Sequence, residues 1–81
     1  MGEREIRGVI ASVMESWPLQ LSITSDSERV SIALTENTEI GQGGRRVPAG
    51  DLRVGQFVRI EGKITSQDPA AVTAYRLEIL N

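Results

Sequence analysis

Eighty-one residues with a formal charge of −2, no cysteine and no histidine leave little room for several function classes. The length provides one domain, residues 1–81, with one core, and the missing residue types exclude disulfides and zinc sites built from the usual nitrogen and sulfur ligands. Nine basic against eleven acidic residues is the wrong balance for a protein that gains affinity chiefly by neutralising phosphates.

Met1-Gly2-Glu3-Arg4-Glu5 is charged, with none of the apolar run of a signal peptide behind it. Ile6, Gly8 and Ile10 then alternate with Arg7, Val9 and Ala11, which predicts a first strand through about Met14. Both sets contain apolar residues, the pattern of a long strand bending around a barrel, with Gly8 at a crowded or kinked point. Ser16-Trp17-Pro18 breaks the strand, because proline removes a donor and biases its predecessor towards extended backbone. Leu19, Leu21 and Ile23 alternate with Gln20, Ser22 and Thr24. After a polar connection at Ser25-Asp26-Ser27-Glu28, Val30, Ile32 and Leu34 alternate in the same way. The two segments predict an antiparallel pair with six apolar side chains on one inner face.

Thr35 to Gly44 reads as irregular, with a short extended piece at Thr38-Glu39-Ile40 and a flexible loop at Gly41-Gln42-Gly43-Gly44, followed by Arg45-Arg46. Val47 to Leu52 has room for one helical turn, too short to stand alone. Leu52 and Val54 are expected to anchor this insertion to the barrel. After Gly55, Val58, Ile60, Gly62 and Ile64 face one way and Phe57, Arg59, Glu61 and Lys63 the other. Ser66-Gln67-Asp68-Pro69 is a turn, and a last strand runs from about Ala71 to Leu80. Its phase shifts between Ala74 and Leu77, which predicts a bulge near Tyr75-Arg76. Five strands with a long first member and an irregular insertion between the third and fourth predict an all-β, five-stranded OB-type Greek-key barrel. A β-sandwich fragment and an SH3-like barrel are the alternatives.

Gly8-Val9-Ile10-Ala11-Ser12-Val13, Thr38-Glu39-Ile40, Asp51-Leu52-Arg53-Val54-Gly55-Gln56-Phe57-Val58-Arg59-Ile60-Glu61-Gly62 and Val72-Thr73-Ala74-Tyr75-Arg76-Leu77-Glu78-Ile79 follow one another in an order that resembles a bacterial family of small OB-like domains of unknown function. Members are often modules of exported proteins, so the resemblance implies an extracytoplasmic module of this fold and leaves its function open. The chain itself shows no leader, and the family brings no catalytic motif to transfer.

Without histidine or cysteine, a nucleophile would lack its usual base, and the acidic pairs Asp26/Glu28 and Glu36/Glu39 fall in turns where acids are common. No loop has the alternating carboxylates of a calcium site. Met14 and Trp17 lack the histidine and second internal methionine of a cuprous site. No catalytic residue, cofactor or metal is therefore expected. A glycine-rich stretch before Arg45-Arg46 has donors for an anion but lacks the strand–loop–helix setting of a phosphate loop. The expected contact residues are Trp17, Arg45, Arg46, Phe57, Arg59 and Tyr75, aromatics for area and arginines for bidentate contacts or stacking. A protein partner or self-association is the leading expectation. Single-stranded nucleic acid across the second, third and fourth strands is the alternative, and the longest apolar runs are far below the ~18 residues of a membrane helix.

Overall fold

The computed structural model describes residues 2–15 and 18–81. Its strands are β1 (Glu3–Met14), β2 (Gln20–Ser25), β3 (Glu28–Ala33), β4 (Glu39–Gln42), β5 (Arg45–Arg46), β6 (Phe57–Gln67) and β7 (Ala70–Ile79), with a single 3-10 turn at Ala49–Asp51. Pairing runs β3-β2-β1-β6-β7, and a parallel contact between β3 and β7 closes the ring. The result is a five-stranded OB-type barrel. The hairpin β4–β5 is attached outside the ring through parallel pairing of β4 with β7.

Alternation in the sequence becomes the wall of this barrel. Ile6 and Ile10 of β1, Leu21 and Ile23 of β2, Val30 and Ile32 of β3, Val58 and Ile60 of β6, and Val72, Leu77 and Ile79 of β7 are all buried. No described polar side chain joins them as a buried residue. Burying each large aliphatic side chain is worth about 1.5–3 kcal/mol, so the inward phase of every strand is strongly specified.

Three bulges let short strands wrap so tightly. In β1, Ile10 pairs with Ile23 but Ser12 pairs with Ser22, which leaves Ala11 extra and moves the inward set from Ile10 to Val13. In β6, Thr65 is skipped between Ile64 and Ser66. In β7, Glu61 faces Arg76 and Gly62 faces Ala74, so Tyr75 is the bulged residue. The bulge foreseen from the phase shift at Tyr75-Arg76 is thus present, and a side chain braces it: the Thr38 hydroxyl donates to the Ala74 carbonyl at 2.7 Å. Two glycines complete the bending. A Cβ on Gly8 would overlap the Thr24 carbonyl, and one on Gly62 the Thr73 carbonyl.

The insertion differs from expectation in two places. Gly41 to Gly44 is an ordered hairpin rather than a flexible loop: Gln42 pairs with Arg45, Gly41 with Arg46, and Gly43 and Gly44 take φ of 59° and 81°. Successive positive φ values are what a two-residue hairpin turn requires, and glycine adopts them without steric cost. Leu52 anchors the insertion in the core, but Val54 does not, being 64% exposed in the turn before β6.

Candidate binding face

β6 lies between β1 and β7, so its outward residues form a surface with theirs, and that surface is organised in cross-strand rows. Val9 pairs with Phe57, and the Leu80 amide donates to the Phe57 carbonyl at 2.8 Å. Three large apolar side chains, 42%, 40% and 41% exposed, therefore stand side by side at one end. The next row holds Arg7, Arg59 and Glu78, continuing through Gly41 to Arg46. The third holds Glu5, Glu61, Arg76 and Glu39. The fourth holds Glu3, Lys63 and Thr73, with the bulged Tyr75 standing between the third and fourth rows.

Ion pairs knit the charged rows. Arg59 donates to Glu78 at 2.9 Å, and both side chains are about three-quarters buried, the most protected pair on the face. Arg7 meets Glu5 at 3.3 Å and Arg46 meets Glu39 at 3.7 Å, both well exposed. Exposed pairs contribute about 0–1 kcal/mol, so these two set surface pattern more than stability. Arg45 and Arg46 border a shallow depression together with Glu39, Gly41, Arg76 and Glu78. Its two carboxylates offset two of the three arginines, which argues against a dedicated anion cradle there.

Of the expected contact residues, Arg46, Phe57, Arg59 and Tyr75 come together on this one face, with Arg45 at its margin in β5 rather than in a loop. Trp17 lies outside the described residues. Phe57 and Tyr75 are 40% and 49% exposed, so neither is sealed beneath the insertion. Val9 and Leu80 escaped selection from sequence. Val9 carried a usable signal, as the apolar residue out of phase with Ile6 and Ile10. Leu80 follows the last strand residue, and nothing local marks it as Phe57's neighbour.

A groove spanning the second, third and fourth barrel strands does not form. β2 and β3 adjoin each other, whereas β6, the fourth strand of the ring, is separated from them by β1 on one side and β7 on the other. The outer positions of β2 and β3 carry Gln20, Ser22, Thr24, Arg29, Ser31 and Ala33. Among the described residues, that face offers one cation and no aromatic ring, although it is the side on which OB barrels commonly take oligonucleotides. Among the described residues, no group of three or more acidic side chains is placed to hold a metal ion.

The closed barrel defines an OB-fold protein, and solved structures share that fold. A replication protein A heterotrimer bound to single-stranded DNA contains a chain that superposes with a TM-score of 0.72 at 12% identity, over 100% of this chain and 59% of that one. The mitochondrial single-stranded DNA binding protein of S. cerevisiae gives 0.70 at 15% identity, over 99% and 94%. A copper(II)-bound variant of CusF from Escherichia coli gives 0.66 at 9% identity, over 99% and 94%. At such identities the likeness is one of fold. No protein-family profile and no curated protein matches the sequence.

Proposed function

We propose that the chain is a non-catalytic binding module whose contact surface is the outer face of β1, β6 and β7, and whose partner is a protein. The observation that carries this reading is the row Val9, Phe57 and Leu80. Three adjacent large apolar side chains, two on the sheet and one just past the end of β7, bordered by arginine, give the composition of a protein contact site. Catalysis is disfavoured by the chemistry of the side chains, since a serine or threonine nucleophile here has no imidazole to deprotonate it. The Asp51 to Gly62 segment's resemblance to modules of exported proteins supports an extracytoplasmic setting.

A second reading, single-stranded nucleic-acid binding, is favoured by the fold shared with two proteins described as binding single-stranded DNA. It is weakened by the plain surface of β2 and β3 and by the acidic residues interleaved with every arginine on the opposite face.

Fluorescence anisotropy with labelled mixed-sequence single-stranded DNA and RNA at low salt separates the two readings. We expect no binding up to about 50 µM, a range reaching well into ordinary non-specific affinities. Micromolar binding that falls steeply as salt rises would put nucleic acid first.

A further inference from the structure

The face just described is complementary to itself, and we propose that a second copy of this chain docks on it about a two-fold axis. This rests on the reading of the face as a protein contact surface, and it names the partner. Consider the buried row Ile6, Ile60 and Leu77, which runs in register across β1, β6 and β7. An axis lying above that row, at right angles to the strands, places each outward residue over the one equally far along the same strand in the opposite direction. Arg7 then faces Glu5 of the second copy, Arg59 faces Glu61, and Glu78 faces Arg76. All three strands bring opposite charges together, and the symmetry repeats each contact.

The outer rows fit as well. Phe57 comes over Lys63 of the second copy, an arrangement in which an ammonium group meets the face of a ring. Leu80 comes over the stretch from Thr73 to the bulged Tyr75, apolar against aromatic. Val9 comes over Glu3 at the solvated rim.

The other in-plane axis, parallel to the strands above β6, fails the same test. It pairs opposite charges only on the flanks, Arg7 over Glu78 and Glu5 over Arg76, and places Arg59 on Arg59 and Glu61 on Glu61 at the centre of the contact, where like charges are strongly unfavourable. Charge order therefore selects one of the two orientations. Charge count alone selects neither, because the four rows on β1, β6 and β7 hold matching numbers of acids and bases.

Size sets the strength. Three strands about 4.8 Å apart and four rows about 6.8 Å apart cover on the order of 400 Å². That is half of the ~800 Å² per partner of a standard interface. A contact of that size belongs with weak, transient associations, and it depends on salt because its central contacts are ionic.

Sedimentation equilibrium from micromolar to about 1 mM protein tests this. At low salt the weight-average mass should rise from 8.8 kDa towards twice that value, and about 1 M salt, with its ~3 Å Debye length, should return it to the monomer. Arg7→Glu sets a carboxylate against Glu5 of the second copy and should weaken association at least about tenfold. Exchanging both charges, Glu5→Arg with Arg7→Glu, should restore it. Arg29→Glu, on β3 at the other side of the barrel, changes net charge equally and should leave association unchanged. A wild-type chain that stays monomeric overturns the two-fold docking. So does a dimer indifferent to Arg7→Glu, or one equally lost with Arg29→Glu. None of these results alters the nucleic-acid titration, so failure of the dimer and failure of the protein-contact reading remain distinguishable.

Discussion

On one side of the barrel, β2 and β3 present Ser22, Thr24, Ser31 and Ala33; on the other, β1, β6 and β7 present Arg7, Phe57, Arg59, Glu78 and Leu80. Both faces are built on the same alternation and enclose the same aliphatic core. Yet one is small, nearly neutral and without rings, while the other is charged, partly aromatic and ordered in rows. An inherited fold fixes where inward residues go and leaves the outward half of each strand open to selection. Here the side commonly used by OB barrels for oligonucleotides is the plain one, and the chemically rich surface lies opposite.

The largest effects are expected where the wall bends between these two faces. Gly8→Ala and Gly62→Ala each drive a methyl group into a backbone carbonyl, and overpacking of this kind costs about 3 kcal/mol. Urea denaturation should show either variant with a much lower midpoint or unfolded outright; wild-type behaviour would mean that the strands bend elsewhere. Next comes the Arg59–Glu78 pair, about three-quarters buried. Glu78→Gln should lose about 1 kcal/mol by the same measurement, more than disruption of the exposed Arg4–Glu28 pair at about 0–0.5 kcal/mol.

Phe57→Ala sharpens the contrast between structure and contact. It should lower the thermal midpoint by less than about 5 °C, since the side chain is 40% exposed and lies outside the core cluster, while weakening association with a protein partner. A collapse in stability would place the ring in the core and remove it from the contact surface.

Two of the hairpin turns offer a smaller test. Asp26 and Ser27 hold φ of 49° and 68°, close to the geometry that Gly43 and Gly44 adopt in the β4–β5 turn. Ser27→Gly should therefore raise stability by about 0.5 kcal/mol, and Gly44→Ala should lower it. The smallest effect is expected on the plain face, where the Ser22 hydroxyl is covered and has no hydrogen-bond partner. Ser22→Ala should be neutral or stabilising by up to about 0.5 kcal/mol. A clear loss would reveal a bond made by that hydroxyl in solution.

Much of this molecule is legible from local pattern. Leu21 and Ile23 against Val30 and Ile32 announce a paired β2 and β3, because a period of two allows only one of two faces to be buried. The phase slip after Ala74 announces the bulge at Tyr75 for the same reason. Pattern also separates Phe57 and Arg59 from Val58 and Ile60. It misjudged Gly41 to Gly44, where glycine-rich sequence is compatible with a loose loop or a tight hairpin and only pairing with β7 decides. It misjudged Val54 as well, since an apolar residue in a turn has no alternation to show its direction.

The sequence by itself determined the five barrel strands and their inward phase, which depend on neighbours one to four residues away, and its composition determined the absence of cysteine and histidine chemistry. Tertiary structure alone decided which outward residues share a face. Val9, Phe57 and Leu80 are 48 and 23 positions apart, and only the ring order β2-β1-β6-β7 makes them neighbours. The opposite charges along β1, β6 and β7 can be counted in the chain, but their alignment into rows depends on register. Register was settled by three bulges and two crowded glycines acting across strands.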